Sequence, residues 1–363
     1  MQINFVEVRN FRNYYYEKFY LSNGINILLG DNAQGKTNLL EGIYFSCIGK
    51  SFKTKNEKDL IKTGSVNAKI IIDFEKNNGN NTINIEFKDG QKFVKLNEIN
   101  ITKTSSMLGN LACVFFSPSE LKLVKEAPED RRRFLDIDIS QLNLTYYNSL
   151  VKYNKILKER NKLLKSLDSE KVIDETLPIW DWQLARAASE IILFRLEFIE
   201  KLEKYSKIEH HNLSGGKEDL VLEYSSCDNF NGKTQSEIED MLVKKLTSSH
   251  EKDIKLKYTT VGPHRDDIKI FLNGMEVKSF GSQGQQRTSL LSIKLAELEI
   301  FKEKFDEYPI LLLDDVFSEL DENRKQRLFD RVKNIQTIIT TTKFDMLNDN
   351  ANIIKIENGK IVI

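Results

Sequence analysis

Ile25, Ile27, Leu28 and Leu29 form a short apolar run, and after a glycine-bearing stretch Leu39, Leu40, Ile43 and Tyr44 recur at helical spacing. The pattern predicts a buried strand, a loop and a helix in succession. Near the other end, four consecutive large apolar residues, Ile310 to Leu313, predict a strand buried on both faces. A helix from about Glu322 to Val332 follows, and Ile335 to Ile339 predicts another strand, ending in Thr340-Thr341-Thr342. Just upstream, Leu290, Leu291, Ile293, Leu295, Leu298 and Ile300 lie close to a helix period. The middle of the chain reads differently. Leu142, Tyr146, Leu150, Tyr153, Leu157, Leu164 and Leu167 follow 3–4 spacing, with Arg160 interrupting. Leu184, Ala188, Ile191, Phe198, Leu202 and Tyr205 do likewise, with Arg195 interrupting. Two antiparallel helices of roughly 25 residues, about 40 Å each, are expected, with Leu177-Pro178 in the turn between them.

Composition adds little. The 363 residues carry 54 basic and 54 acidic side chains, so net charge argues neither for nor against nucleic acid, and any basic surface must be local. The apolar-alternating N-terminus, MQINFVEVRNFRNYYY, is no signal peptide, and no run approaches the length of a membrane span. The three cysteines stand apart and the four histidines have no metal-ligand spacing. A soluble, cytoplasmic protein with no membrane partner is expected.

The loop between the first strand and helix reads Gly30-Asp31-Asn32-Ala33-Gln34-Gly35-Lys36-Thr37. Its glycines let backbone N–H groups close around phosphates, Lys36 supplies a cation, Thr37 a hydroxyl for Mg²⁺, and the helix N-terminus a favourable dipole. The later strand ends in Asp314-Asp315. A carboxylate there, beside the phosphate loop, can hold Mg²⁺, and a second can orient or deprotonate water. Lys36, Asp314 and Asp315 are therefore the candidate catalytic residues, and Thr37 and Asp314 the candidate metal ligands. The core reads as an α/β fold of doubly wound type with its ligand at the strand C-termini.

The stretch SFGSQGQQRTSLLS, residues 279–292, opens the long helix. Ser282 is placed as an N-cap, which turns free N–H groups outward and makes a second anion site.

Taken with these motifs, the chain looks like an ABC-type ATPase and resembles the RecF family of DNA recombination mediators over nearly its whole length. The carriers are FRNY (11–14), GDNAQGKTNLLE (30–41), SFKT (51–54), FSPSELKLVKEAPEDRRRFLD (116–136), GPHRDD (262–267), SFGSQGQQR (279–287) and LLLDDVFSELD (311–321). The resemblance implies an ABC-type P-loop ATPase head of mixed sheet and helices. An inserted, largely helical lobe would carry a short antiparallel arm, shorter than the coiled coils of SMC proteins. The lobes are set at 1–117 with 262–363, and 118–261. It also implies a head-to-tail, ATP-dependent homodimer in which Ser282, Gly284 and Gln285 cap the nucleotide held by the other subunit. Arg12, in FRNY, is expected to approach the nucleotide. The family's role would be recombinational repair: binding double-stranded DNA near single-strand gaps and, with RecO and RecR, loading the recombinase. Departures from the transporter pattern point to slow hydrolysis, with ATP as a dimerising switch, and the resemblance implies a weak, DNA-stimulated ATPase. Gly281 stands for the signature's usual Leu, Gln283 for its first Gly and Asp315 for Glu. Thr340–Thr342 lie where a switch histidine is expected, and residues 113–120 stand in for a switch loop.

Three local basic clusters are candidates for DNA phosphates: Lys53, Lys55 and Lys58 with Lys50 and Lys62; Arg131, Arg132 and Arg133; and Arg265 beside His264. None suggests base-specific readout.

Overall fold

A computed structural model of the chain describes residues 1–77, 79–166, 170–343 and 351–362, with the side chains of 170–175, 318 and 319 outside that description. Leu167 of the expected arm pattern lies outside the described residues. The chain forms two compact units, residues 1–121 with 294–363, and residues 122–293. The stretch 262–293, set with the first lobe above, thus belongs to the second unit, and the second boundary falls within a helix. The physical reason is a sheet: Asp267–Leu272 pairs antiparallel with Leu220–Ser225.

The first unit begins with β1 (Gln2–Arg9), β2 (Tyr16–Tyr20), β3 (Ile25–Leu29) and α1 (Lys36–Ile48). It continues through β4 (Asn67–Lys76), β5 (Gly79–Lys88), β6 (Gln91–Leu96), β7 (Ile99–Ile101) and β8 (Cys113–Phe116). In the second unit lie α2 (Lys122–Lys125), α3 (Pro128–Leu142), α4 (Leu144–Ser166), α5 (Glu170–Ser214), β9 (Leu220–Ser225), α6 (Gln235–Ser248), α7 (His250–Leu256), β10 (Asp267–Leu272), β11 (Met275–Glu276) and α8 (Val277–Phe280). α9 (Gln283–Phe305) carries the boundary, and β12 (Ile310–Asp314), α10 (Glu322–Val332), β13 (Thr337–Thr341), β14 (Asn352–Glu357) and β15 (Lys360–Val362) return to the first unit.

Two six-stranded sheets build the first unit. One has the order β2-β1-β4-β5-β6-β7 and is antiparallel throughout. Its alternation puts Val6, Val8, Ile70, Ile72, Phe74, Ile83, Ile85 and Phe87 on a buried face. The other has the order β15-β14-β3-β13-β12-β8, with β14, β3, β13, β12 and β8 parallel. β3 and β12 are apolar on both faces, as strands sheltered from both sides must be. Register places Leu29 beside Thr341 and Asp314 beside Thr340, so the phosphate-loop strand and the Asp314 strand end together.

In the second unit α4 and α5 pair antiparallel: Arg160 reaches Asp181, and Tyr146 reaches Arg195. The expected turn at Leu177-Pro178 is not there. Pro178 lies inside α5, whose 45 residues extend to about 68 Å, well beyond the length expected. A proline forfeits one helical N–H, and Pro178 lies in α5 beyond the first turn, where that loss would be free. There Leu177 is fully buried against Leu164, with Leu163 and Ile254 around them, and this packing carries the helix through. Arg160 and Arg195 interrupt the apolar pattern because they are buried clasps, 0% and 2% exposed. Arg160 binds Asp181, Asp253 and Thr259 Oγ1, each at 2.8 Å. Arg195 binds Asp136 at 2.8 Å and the Pro263 carbonyl at 2.7 Å.

Candidate nucleotide site

A cleft of about 360 Å³ opens at the C-terminal ends of β3, β12 and β13. Asn32–Asn38, Lys53, Pro118, Asp314, Asp315, Thr340 and Thr342 line it. Gly30 and Asp31 contribute from beneath: Lys36 Nζ donates to their carbonyls at 2.5 and 2.7 Å. The ammonium is thus held against the loop that would wrap the phosphates. Burial lowers the Lys36 pKa, and the charges of Asp315, Asp314 and Asp31 pull it back up.

Thr37 Oγ1 donates to Asp314 Oδ1 at 2.7 Å across 277 residues of sequence. Thr340 Oγ1 donates to the same oxygen, also at 2.7 Å, and accepts from Asp315 N–H at 3.0 Å. The Asp314 carboxylate is therefore fixed from the start of α1 and from β13. Asp315 takes a left-handed backbone, φ 54°, where the chain turns off β12. Thr37 and Asp314 together offer hard oxygen donors, the type Mg²⁺ takes when one or two protein oxygens and phosphate share its shell. Among the described residues no group of three or more His, Cys, Asp or Glu has metal-site geometry, so a dedicated all-protein cage is not what this cleft supplies.

The residues bracing the loop come from FRNY, though not from Arg12. Asn13 Nδ2 donates to the Gln34 carbonyl at 2.9 Å, Tyr14 Oη to the Gly35 carbonyl at 2.9 Å, and Asn38 Nδ2 to Asn13 Oδ1 at 2.8 Å. Arg12 faces Glu41 on α1, making paired bonds of 2.8 and 2.6 Å to a fully buried carboxylate, and donates to the Asp59 carbonyl at 2.7 Å. It is absent from the cleft lining. Ser51 Oγ also donates to Glu41, at 2.5 Å, and accepts the N–H groups of Lys53 and Thr54. Glu41 thus organises the loop that carries Lys53.

That loop separates the lysine cluster. Lys53 Nζ donates to Asn38 Oδ1 at 2.9 Å and lines the cleft. Although the residue as a whole is exposed, its ammonium end is partly desolvated, which lowers its pKa against the pull of Glu41 and Asp314. Lys62 donates to the Asn13 carbonyl at 2.7 Å. Lys55 and Lys58 are exposed.

In the second unit Ser282 Oγ accepts the Gln285 N–H at 3.3 Å while Gln285 Oε1 accepts the Ser282 N–H at 2.9 Å. This reciprocal capping box begins α9. Ser282 is exposed, and Gly284 leaves open space around the first turn. The glycine at 281, where Leu is usual, has a packing cause. A Cβ there would lie 2.6 Å from the Val277 carbonyl oxygen.

The arginine cluster divides as well. Arg131 is buried, forking onto Asp267 at 2.5 and 2.9 Å and donating to the Leu123 and Glu126 carbonyls, so its charge is spent inside the fold. Arg132 donates to the Asp266 carbonyl at 2.8 Å, while Arg133 is exposed. Arg265 is exposed and lies 4.8 Å over the Tyr258 ring. His264 is held between Tyr153 Oη at 2.5 Å and the Thr259 carbonyl at 3.0 Å, and burial lowers its pKa to about 4, so at neutral pH it brings no charge.

Known proteins resemble this chain in sequence and in fold. A family model described as the RecF/RecN/SMC N-terminal domain matches residues 2–361. The DNA replication and repair protein RecF of Clostridium perfringens (strain SM101 / Type A) is 44% identical over 366 residues, spanning 99% of each chain. The protein of the same description from Acetivibrio thermocellus is 42% identical over 366 residues, again spanning 99% of each. The solved structure of the recombination mediator protein RecF with ATP, of the RecFOR pathway, superposes with a TM-score of 0.92 at 35% identity, over 99% of this chain and 97% of its own. An SMC head bound to the C-winged helix domain of ScpA shares the fold, with a TM-score of 0.60 at 18% identity over 100% of this chain and 97% of its own. Among the described residues no helix is long and apolar enough to cross a membrane.

Proposed function

This chain belongs to the RecF/RecN/SMC N-terminal domain family and within it to the RecF proteins, and from that premise we propose that it is an ATP-driven DNA-binding switch of recombinational repair. The observation that carries the reading is the meeting of Thr37, Asp314 and Thr340 beside Lys36 in one cleft. Lys36 and the loop N–H groups hold the phosphates, and Lys53, reaching the cleft from the loop organised by Glu41, adds a second cation there. Thr37 and Asp314 would hold Mg²⁺, which supplies Lewis-acid neutralisation of phosphate charge when bound. Asp315 orients water.

The Ser282–Gln285 capping box gives α9 an exposed N-terminus suited to an anion. On this reading it caps the nucleotide of a second copy of the chain, so ATP closes a head-to-tail homodimer. The closed dimer binds double-stranded DNA beside single-strand gaps and acts with RecO and RecR to load the recombinase. Asp315, shorter than Glu by one methylene, makes hydrolysis slow, so that it works as a release step. Lys55, Lys58, Arg133 and Arg265 are the exposed cations that carry DNA phosphates.

The test is fluorescence anisotropy of a labelled gapped duplex with and without ATP–Mg²⁺, for wild type and Ser282→Arg. ATP-dependent binding that Ser282→Arg abolishes, with nucleotide binding intact, is the expected result. DNA binding indifferent to ATP refutes the switch. Turnover faster than about 10 s⁻¹, the median for enzymes, refutes slow hydrolysis.

A further inference from the structure

We infer that Glu218 and His210 are positioning residues for the Ser282–Gln285 anion site and couple the arm helix α5 to it. The inference rests on the reading of that site given above. The Gln285 side-chain amide is engaged on both sides. Its Oε1 accepts the Ser282 N–H at 2.9 Å, and its Nε2 donates to Glu218 Oε1 at 2.9 Å. The other oxygen of Glu218 lies 3.0 Å from His210 Nε2, and His210 Nδ1 lies 3.0 Å from Ser292 Oγ. Ser292 Oγ in turn donates to the Thr288 carbonyl at 2.7 Å. The chain of contacts leaves α9 at its first turn, passes through Glu218 and α5, and re-enters α9 two turns later.

Local backbone makes this possible. α5 ends at Ser214, and Gly215 and Gly216 follow at φ 74° and 79°. A Cβ on Gly216 would lie 2.9 Å from the His211 ring, and the Gly216 N–H closes onto the His211 carbonyl at 2.9 Å. The two left-handed residues reverse the chain. Glu218 therefore returns to a histidine eight residues behind it. His210 is fully buried, so its ring has no water to turn to.

The consequence concerns aim. A helix N-terminus binds phosphate through N–H groups whose direction is set by the first turn. Within the capping box the Ser282 Oγ bond is long, 3.3 Å, and the Gln285 Oε1 bond is the shorter, 2.9 Å. Glu218 keeps that amide from rotating away. A shift of α5 moves His210, then Glu218, and loosens the cap. Whatever pulls on the arm thereby changes the hold on the phosphate of a second subunit.

The experiment compares wild type, Glu218→Ala and Glu218→Gln by sedimentation with ATP–Mg²⁺, alongside fluorescent-ATP binding to the monomer. Glu218→Ala is expected to weaken dimerisation about tenfold, as the loss of a hydrogen bond to a charged group does. ATP binding to the monomer stays unchanged, which also shows that the chain has folded. Glu218→Gln keeps an acceptor for Gln285 and is expected to restore dimerisation. Should Glu218→Ala fail to bind ATP, His210→Gln takes its place, with the same weakening expected. A wild type that stays monomeric with ATP overturns the dimer reading, and the coupling with it. A wild type that dimerises no better than Glu218→Ala, or a Glu218→Gln as weak as Glu218→Ala, overturns the coupling alone.

Discussion

Replacing Arg12 by Ala separates two roles that its place in FRNY leaves open. Glu41 is fully buried, and its carboxylate is held by Arg12 at 2.6 and 2.8 Å and by Ser51 at 2.5 Å. Removing the arginine orphans a buried charge, which costs about 3–5 kcal/mol in fully buried pairs. The Arg12 side chain is 18% exposed, so water can partly replace it and the lower end, about 3 kcal/mol, applies. For a unit of this size that lowers the melting temperature by roughly 6–12 °C. The assay is calorimetric unfolding of Arg12→Ala, of Glu41→Gln and of the double variant, with ATP titration at low temperature. Arg12→Ala should melt early yet bind ATP within about threefold of wild type when cold, since the guanidinium is not in the cleft lining. In the double variant the orphan charge is gone, and at least half of the lost stability should return. An Arg12→Ala protein that melts like wild type but loses ATP binding tenfold or more would refute this and place Arg12 on the nucleotide.

Lys53→Ala should raise the ATP dissociation constant about tenfold and leave the salt slope of DNA binding unchanged, since its ammonium faces the cleft; a salt slope reduced by about one with ATP affinity intact would return Lys53 to the DNA surface. Neutralising Lys55 and Arg265 should each flatten that slope by about one, as removal of one phosphate contact does. Arg131→Gln should instead destabilise the fold, because it leaves Asp267 with only the Ile268 N–H and removes the guanidinium from the Leu123 and Glu126 carbonyls. For His264 the folded pKa of about 4 lies below the ordinary 6.5, so the unfolded chain binds more protons between those values. Its contribution is full above pH 6.5 and is lost as pH falls towards 4, by at most about 3 kcal/mol. Denaturant unfolding between pH 7.5 and 5 should therefore weaken more for wild type than for His264→Gln, and parallel curves would refute it.

What a sequence can disclose depends on how far apart the partners of each group lie. The phosphate loop and the α9 cap are chemistries of neighbouring residues, so spacing pointed to Gly30–Thr37 and to Ser282 as an N-cap, while Gly284 and Gln285 came with the family resemblance. Asp314 was legible because a strand of four apolar residues ends on it. Arg160 and Arg195 were visible only as faults in a helical pattern, since their carboxylates lie on other segments: Asp253 is 93 residues from Arg160, and Asp136 is 59 from Arg195. Arg131 shows the same limit from the other side. Glu129 and Asp130 are the acids nearest to it in sequence, yet Asp267, 136 residues away, takes the charge. A run of cations cannot reveal which members are paired inside, because pairing is decided by tertiary contacts that period and composition do not encode. Pro178 carries the same lesson for boundaries. Its intrinsic cost to a helix is about 3 kcal/mol, and packing of Leu177 against Leu164 carries α5 past it. The faults in a pattern, more than its regular positions, mark where the fold spends charge. In this chain two such faults fasten the arm to the loop 259–267, and His210, towards the far end of α5, meets Ser292 on α9 and, through Glu218, Gln285 in the first turn of α9.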